Sequence, residues 1–204
     1  MKIIGLTGSI GMGKSTAAKL LRVLKIPVFD SDTCVHDLLS SCPDVINKIA
    51  AAFPAAWDKK AHKIDRGVLG QIVFADPMAR RKLEAILHPK VWDAQQKFIA
   101  GARRTGKCHV ALDIPLLFET GRHRKCDSVL CVTAPHFIQR QRVLSRKGMN
   151  ETKFSAVLSG QLPDHAKRKM SDFIIPTGLG RGFTLQRLKH TLRSIKNRGN
   201  DYGA

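Results

Sequence analysis

The sequence predicts an α/β fold, a parallel sheet flanked by helices, and three observations support it. Short apolar runs, each about one strand long, recur at Ile3, Ile4 and Leu6 and at 26–29, 109–112, 128–133 and 173–175. Helical patterns lie between them, as the crossovers of a parallel sheet require. A glycine-rich turn also follows the first run and opens onto an amphipathic stretch at 17–24, so strand, turn and helix succeed one another.

The first run leads into Gly8, Ser9, Ile10, Gly11, Met12, Gly13, Lys14 and Ser15, which satisfy G-x-x-x-x-G-K-[ST], the phosphate-binding loop of nucleoside triphosphate enzymes. A triphosphate needs many donors pointing inward, and side chains would crowd a loop wrapped that tightly. Gly8, Gly11 and Gly13 let the backbone take positive φ so that successive N–H groups face the phosphates. The following helix aims its unpaired N–H groups at the same anion. The expected nucleotide contacts are therefore Gly8, Gly11, Met12, Gly13, Lys14, Ser15 and Thr16. Lys14 is expected to reach the β and γ phosphates, and the Ser15 hydroxyl to hold Mg²⁺.

The second run ends at Asp30, followed by Ser31 and Asp32. One carboxylate of this pair suits an acceptor hydroxyl, which it would orient and deprotonate; the other suits the N-cap of the next helix. Asp32 is preferred for the chemistry. Residues 43–102 exceed a simple crossover and read as a helical insertion over the acceptor side, with helices expected at 43–53, 65–75 and 76–102. Pro77 suits a helix start, and Pro89 is expected to break or kink the long helix near His88.

The third run ends at Asp113, a position that reads equally as a strand terminus or as a carboxylate holding magnesium through water. A basic helical segment covers 135–170. There Arg142 and Arg146 stand one helical turn apart, and would share a face able to fold over a transferring phosphoryl group. A last helix is expected at about 184–196. By the carboxyl-end rule for parallel sheets, the glycine loop, 30–32, 113–115 and 176–178 gather round one crevice. The stretch Leu158, Ser159, Gly160, Gln161 looks like a truncated transporter-ATPase signature, but it follows the strand ending in Asp113 where that family places it before. No Asn-Lys-x-Asp motif supports a GTPase.

The 204 residues carry a formal charge of +19, and from Gln139 onward fourteen Lys or Arg face four Asp or Glu. Such a surface suits nucleic acid or polyanionic small substrates, but for most of these charges the preferred reading is a soluble basic surface characteristic of the source proteome. Basic residues interleaved with aromatics are not seen, and with one Tyr and scattered Phe no nucleic-acid partner is expected. Every apolar stretch is too short for a membrane span, and the N-terminal run passes directly into the loop rather than a cleavage site. Five cysteines without a C-x-x-C pair fit a reducing, cytoplasmic setting better than a zinc site.

Taken together these residues resemble the dephospho-CoA kinase family, over nearly the whole chain. The glycine loop begins the match and Asp30-Ser31-Asp32 continues it. Ile64-Asp65-Arg66, Val73-Phe74 and Leu83 to Pro89 with its His88-Pro89 follow. The most distinctive segment is Ile114-Pro115-Leu116-Leu117-Phe118-Glu119. Gln139-x-x-Arg142-x-x-x-Arg146, Gln161 and Asp172 to Ile175 complete it. The resemblance implies a P-loop kinase fold with a five-stranded parallel sheet, a helical acceptor-binding insertion and a small helical lid. On that reading the core is about 1–42, 103–134 and 171–204, the insertion about 43–102 and the lid about 135–170.

It further implies ATP- and Mg²⁺-dependent phosphorylation of the ribose 3′-hydroxyl of dephospho-CoA, the last step of coenzyme A biosynthesis. Lys14, Asp32, Arg142 and Arg146 would be catalytic. Arg66, His88, Pro115, Leu116 and Leu117 would join Asp32 in binding the acceptor, and Thr177 would lie by the adenine. Thr177 stands where the family usually carries Asn, Ser9 where a glycine is common and Met12 where a serine is common. Two rival readings are another small-molecule or nucleoside monophosphate kinase of this fold, and a basic RNA-binding ATPase. Oligomeric state is not given by the sequence.

Overall fold

The structure is a computed structural model and describes residues 1–58 and 61–198. Residues 199–204 of the expected core and 59–60 of the expected insertion lie outside the described residues. In chain order the elements begin with β1 (Lys2–Thr7), α1 (Lys14–Val23), β2 (Val28–Asp30), α2 (Ser31–Ser41) and α3 (Pro43–Ala52). There follow β3 (Trp57–Asp58), β4 (Lys63–Ile64), α4 (Arg66–Ala75), α5 (Pro77–Arg104) and β5 (His109–Asp113). The chain continues through β6 (Ser128–Thr133), α6 (His136–Leu144), α7 (Glu151–Ser159), α8 (Asp164–Met170), β7 (Phe173–Pro176) and α9 (Arg181–Arg198). Two units form, one of residues 1–29 and 102–204 and the other of residues 30–101.

In the first unit the five apolar runs become one parallel sheet in the order β2-β5-β1-β6-β7. β1 is central because its alternate residues are apolar on both faces, and it pairs with β5 (Leu6 beside Asp113) and β6 (Thr7 beside Cys131). On one face Ile4, Leu6, Leu130, Val132 and Ile175 pack against Ala17, Ala18 and Leu21 of α1 and Leu188 and Ile195 of α9. Gly5 faces the other way, where a Cβ would lie 2.7 Å from Leu117 and 2.9 Å from Cys126. Sheet and loop are thereby pressed together at the strand that carries the phosphate motif.

The second unit is mostly helical around Leu39, Val45, Ile49, Phe53, Ile64, Leu69 and Leu87. Pro43 opens α3 at a position where its missing N–H is not needed. Asp65 caps α4 by accepting from the Gly67 and Val68 N–H groups at 2.8 and 3.1 Å. The antiparallel pair β3–β4 (Trp57 beside Ile64) was not expected, because two-residue strands have no readable alternation.

Of the two outcomes expected at Pro89, a break or a kink, the break does not occur. α5 runs unbroken for 28 residues with Pro89 inside it. One lost backbone bond is outweighed by burial of Leu87 and Val91 on either side, 7 % and 3 % exposed. No described helix is long and apolar enough to cross a membrane.

Candidate active site

The glycine loop leaves β1 at its carboxyl end, the side of a parallel sheet where ligands gather. Gly13 is the N-cap of α1 at φ 87°, ψ 21°, with no side chain to satisfy the helix start. The first N–H groups of α1, from Lys14, Ser15 and Thr16, therefore have no intrahelical acceptor at the end of the helix that meets the loop. Glycine is needed at 13 for space as well as for φ: a Cβ would lie 2.7 Å from the Thr177 hydroxyl and 3.2 Å from Arg142 Nη1. Ser9 is not among the described residues with positive φ, so its replacement of a common glycine introduces no strain.

Lys14 Nζ donates to and ion-pairs with Asp113 Oδ1 at the end of β5. Both side chains are withdrawn from water, 15 % and 3 % exposed. An ammonium so placed is partly desolvated and held beside the loop amides. Ser15 is exposed at the same helix start.

The outer side of the loop is tied to the segment 135–177. Gln139 Nε2 on α6 donates to the Ile10 carbonyl at 2.8 Å, and Ile10 N–H donates to Gln161 Oε1 at 3.0 Å. Arg142 donates to the Thr177 carbonyl at 2.8 Å and hydroxyl at 3.0 Å, with a longer contact of 3.4 Å to the Gly11 carbonyl. The Thr177 hydroxyl donates to the Met12 carbonyl at 2.7 Å. Met12 is itself turned inward: its N–H donates to the Ser9 carbonyl at 3.1 Å, and its sulfur accepts from Ala134 N–H at 3.1 Å.

Arg146 falls just beyond the helix that carries Arg142. α6 ends at Leu144 and Ser145 caps it, so Arg146 lies in the turn beyond, with its N–H on the Val143 carbonyl at 3.0 Å. Arg140 of α6 pairs with Glu151 of α7.

The segment after β5 is anchored from within. The Pro115 carbonyl accepts from the Thr7 hydroxyl at 3.0 Å and from Lys167 Nζ at 3.2 Å. Lys167 is fully buried and reaches Glu119 Oε1 at 2.8 Å, while Glu119 also accepts from Leu162 N–H at 2.9 Å. Burial would raise the Glu119 pKa, but the Lys167 ammonium and the Leu162 amide outweigh it and hold the carboxyl below its ordinary value. Leu117 is fully buried against the sheet. The Leu116 carbonyl accepts from the Thr120 hydroxyl at 2.7 Å.

In the second unit Asp30 is the N-cap of α2, accepting from Thr33 N–H at 3.0 Å, and Asp32 stands in the first exposed turn of that helix. The cap expected from one of the two carboxylates is thus Asp30. Arg66 is the first residue of α4 and His88 lies within α5, both exposed. The structure therefore brings the glycine loop, Lys14, Asp113, Arg142 and Thr177 together in the first unit, and it carries Asp32, Arg66 and His88 on the second.

A family model described as dephospho-CoA kinase matches residues 2–178. This chain belongs to the dephospho-CoA kinase family. A dephospho-CoA kinase from Mesorhizobium japonicum is 48 % identical over 180 residues, 88 % of this chain and 89 % of the relative. One from Paramagnetospirillum magneticum is 51 % identical over 168 residues, 82 % and 78 % of the two chains. Among solved structures, the protein TT1252 from Thermus thermophilus aligns with a TM-score of 0.82 at 34 % identity, covering 95 % of this chain and 97 % of that one. As a member of the dephospho-CoA kinase family the chain is a phosphotransferase.

Sequence reasoning gave no role to Lys167, Gln139 or Gln161. Lys167 sits in a run of basic residues with no local sign that it is buried. The two glutamines stood only as positions of resemblance.

Proposed function

We propose that this chain transfers the γ-phosphoryl group of ATP to the ribose 3′-hydroxyl of dephospho-CoA, giving coenzyme A and ADP. The observation that carries the reading is the convergence of Lys14, Asp113 and the glycine-capped start of α1 at the end of the central strand. The amides of Gly11, Gly13, Lys14, Ser15 and Thr16 and the Lys14 ammonium bind the triphosphate, with Lys14 leaving Asp113 for phosphate oxygens; the Met12 N–H, expected among them, is spent on the Ser9 carbonyl. Asp32 orients the acceptor hydroxyl and takes its proton. Arg142 and Arg146 offset the charge that develops on the transferring group, and their segment, about 135–170, serves as the lid. Residues of about 43–102, with Arg66 and His88, hold the acceptor together with Pro115, Leu116 and Leu117. Thr177 frames the adenine end.

The donor set fits magnesium: the Ser15 hydroxyl and the Asp113 carboxylate are hard oxygen ligands. Among the described residues no cluster of three His, Cys, Asp or Glu could hold a metal alone, so Ser15 and Asp113 would share the ion with substrate phosphates. When bound with ATP, the ion neutralises charge on the β and γ oxygens.

The test is ADP release measured with dephospho-CoA, nucleoside monophosphates, simple alcohols and RNA as separate additions. Release only with dephospho-CoA, matched by coenzyme A formed, supports the reading. Release driven by a monophosphate or an RNA overturns it in favour of the corresponding rival.

A further inference from the structure

A loop that turns its N–H groups inward to a phosphate must turn carbonyls outward. Buried carbonyls then need donors from the surrounding fold. Here the outward carbonyls of three successive residues are met by three side chains: Ile10 by Gln139, Gly11 by Arg142 and Met12 by Thr177. Ile10 differs from the other two. Both ends of its backbone are held, the carbonyl by Gln139 and the N–H by Gln161. Gln139 is only 3 % exposed and projects from α6, whereas Gln161 follows α7. The ends of the two amides are dictated by chemistry, since a carbonyl only accepts and an N–H only donates.

We infer that Gln139 and Gln161 are positioning residues for the nucleotide grip, a bracket that fixes Ile10 so that the amides following it are pre-aimed at the phosphates. The inference rests on the proposal that this loop binds ATP. Without the bracket the Ile10 carbonyl and N–H rotate freely, and ATP binding must order them before the grip closes. Neither glutamine need touch the ligand. The bracket also places the grip under control of the segment that carries Arg142 and Arg146.

The experiment measures ATP-analogue affinity by calorimetry, which needs no acceptor, and both Michaelis constants by ADP release. The variants are Gln139→Met, Gln161→Met, their combination, Gln139→Glu and Gln161→Glu. Each methionine variant is expected to weaken ATP by roughly tenfold while the dephospho-CoA KM stays within twofold. The double variant should be at most threefold worse than the worse single, because both act on one residue. Gln161→Glu keeps an acceptor for Ile10 N–H and should stay within about threefold of the parent, whereas Gln139→Glu sets a carboxylate against a carbonyl and should match or exceed the methionine loss.

ATP affinity within twofold of the parent in both methionine variants overturns the inference. So do fully multiplicative losses, or equal changes in both Michaelis constants. An unmodified protein that fails to bind the ATP analogue overturns the loop assignment as well. If it binds ATP but does not phosphorylate dephospho-CoA, only the acceptor is wrong, and the affinity series still decides the inference.

Discussion

The buried pair Lys167–Glu119 gives an asymmetric prediction. Lys167 has no exposure, and its Nζ bonds Glu119 and the Pro115 carbonyl. The Glu119 side chain retains 17 % of its exposure and has the Leu162 amide as a second partner. Removing the carboxylate, as in Glu119→Gln, leaves an ammonium in a dry site with only neutral oxygens. Breaking a fully buried pair costs about 3–5 kcal/mol; the residual solvent at Glu119 lowers this to about 2–3 kcal/mol.

For a chain of this length that corresponds to a fall in Tm of about 4–12 °C. Lys167→Met should cost less than half as much, since Glu119 keeps its amide partner and some water while methionine fills the site. The double variant should recover part of the Glu119→Gln loss. Thermal unfolding by circular dichroism at pH 7 measures all three. Because the folded carboxyl titrates below its ordinary value, its contribution is complete above the unfolded pKa and disappears as pH falls through the folded one. The gap between parent and Glu119→Gln should therefore close below about pH 4. A Lys167→Met variant less stable than Glu119→Gln, or a Glu119→Gln variant within 2 °C of the parent, refutes the reasoning.

Three further outcomes are expected. Lys14→Met should lower kcat/KM for ATP by on the order of 10²-fold or more in the ADP-release assay; a loss below threefold would remove Lys14 from the phosphate grip. Asp32→Asn should leave ATP affinity intact and reduce turnover by on the order of 10²-fold or more, and near-normal turnover would exclude it as the base. Burial, with nearby carboxylates, pushes the thiols of Cys126 to about 12 and Cys131 to about 11. A disulfide reagent at pH 8 should therefore modify exposed Cys108 first and leave Cys126 and Cys131 intact in the folded protein, as peptide mass mapping would show.

What could be read from the sequence was set by local requirements. The loop glycines, Lys14 and Ser15 are legible because a phosphate cradle needs those residue types at that spacing, whatever surrounds it. The five strands announce themselves because a parallel sheet is apolar on both faces. That one of Asp30 and Asp32 would cap the next helix was legible because a helix start favours a short acceptor side chain, and the structure makes it Asp30. What could not be read was decided by packing. Pro89 carries a local penalty that its buried neighbours outweigh. The spacing of Arg142 and Arg146 does not reveal that α6 ends at Leu144, with Arg146 in the turn that follows and Gly148 at φ 80° after it. Lys167 has the composition of a solvated residue and the environment of a core one.

Thr177, a departure from the family pattern, makes bonds that can be counted. The family usually carries Asn there, an amide with both donor and acceptor. A threonine hydroxyl also has one of each, and here both are used: it donates to the Met12 carbonyl and accepts from Arg142 Nη1. With Thr177 only 4 % exposed, its side chain is committed to the loop and the arginine. Thr177 thus links the strand that ends at Pro176, the phosphate loop and α6. Loop carbonyls held by the fold, and the loop amides that the proposed function assigns to the nucleotide, would be two halves of one arrangement. The first half needs partners more than a hundred residues away, which is why the motif alone shows only the second.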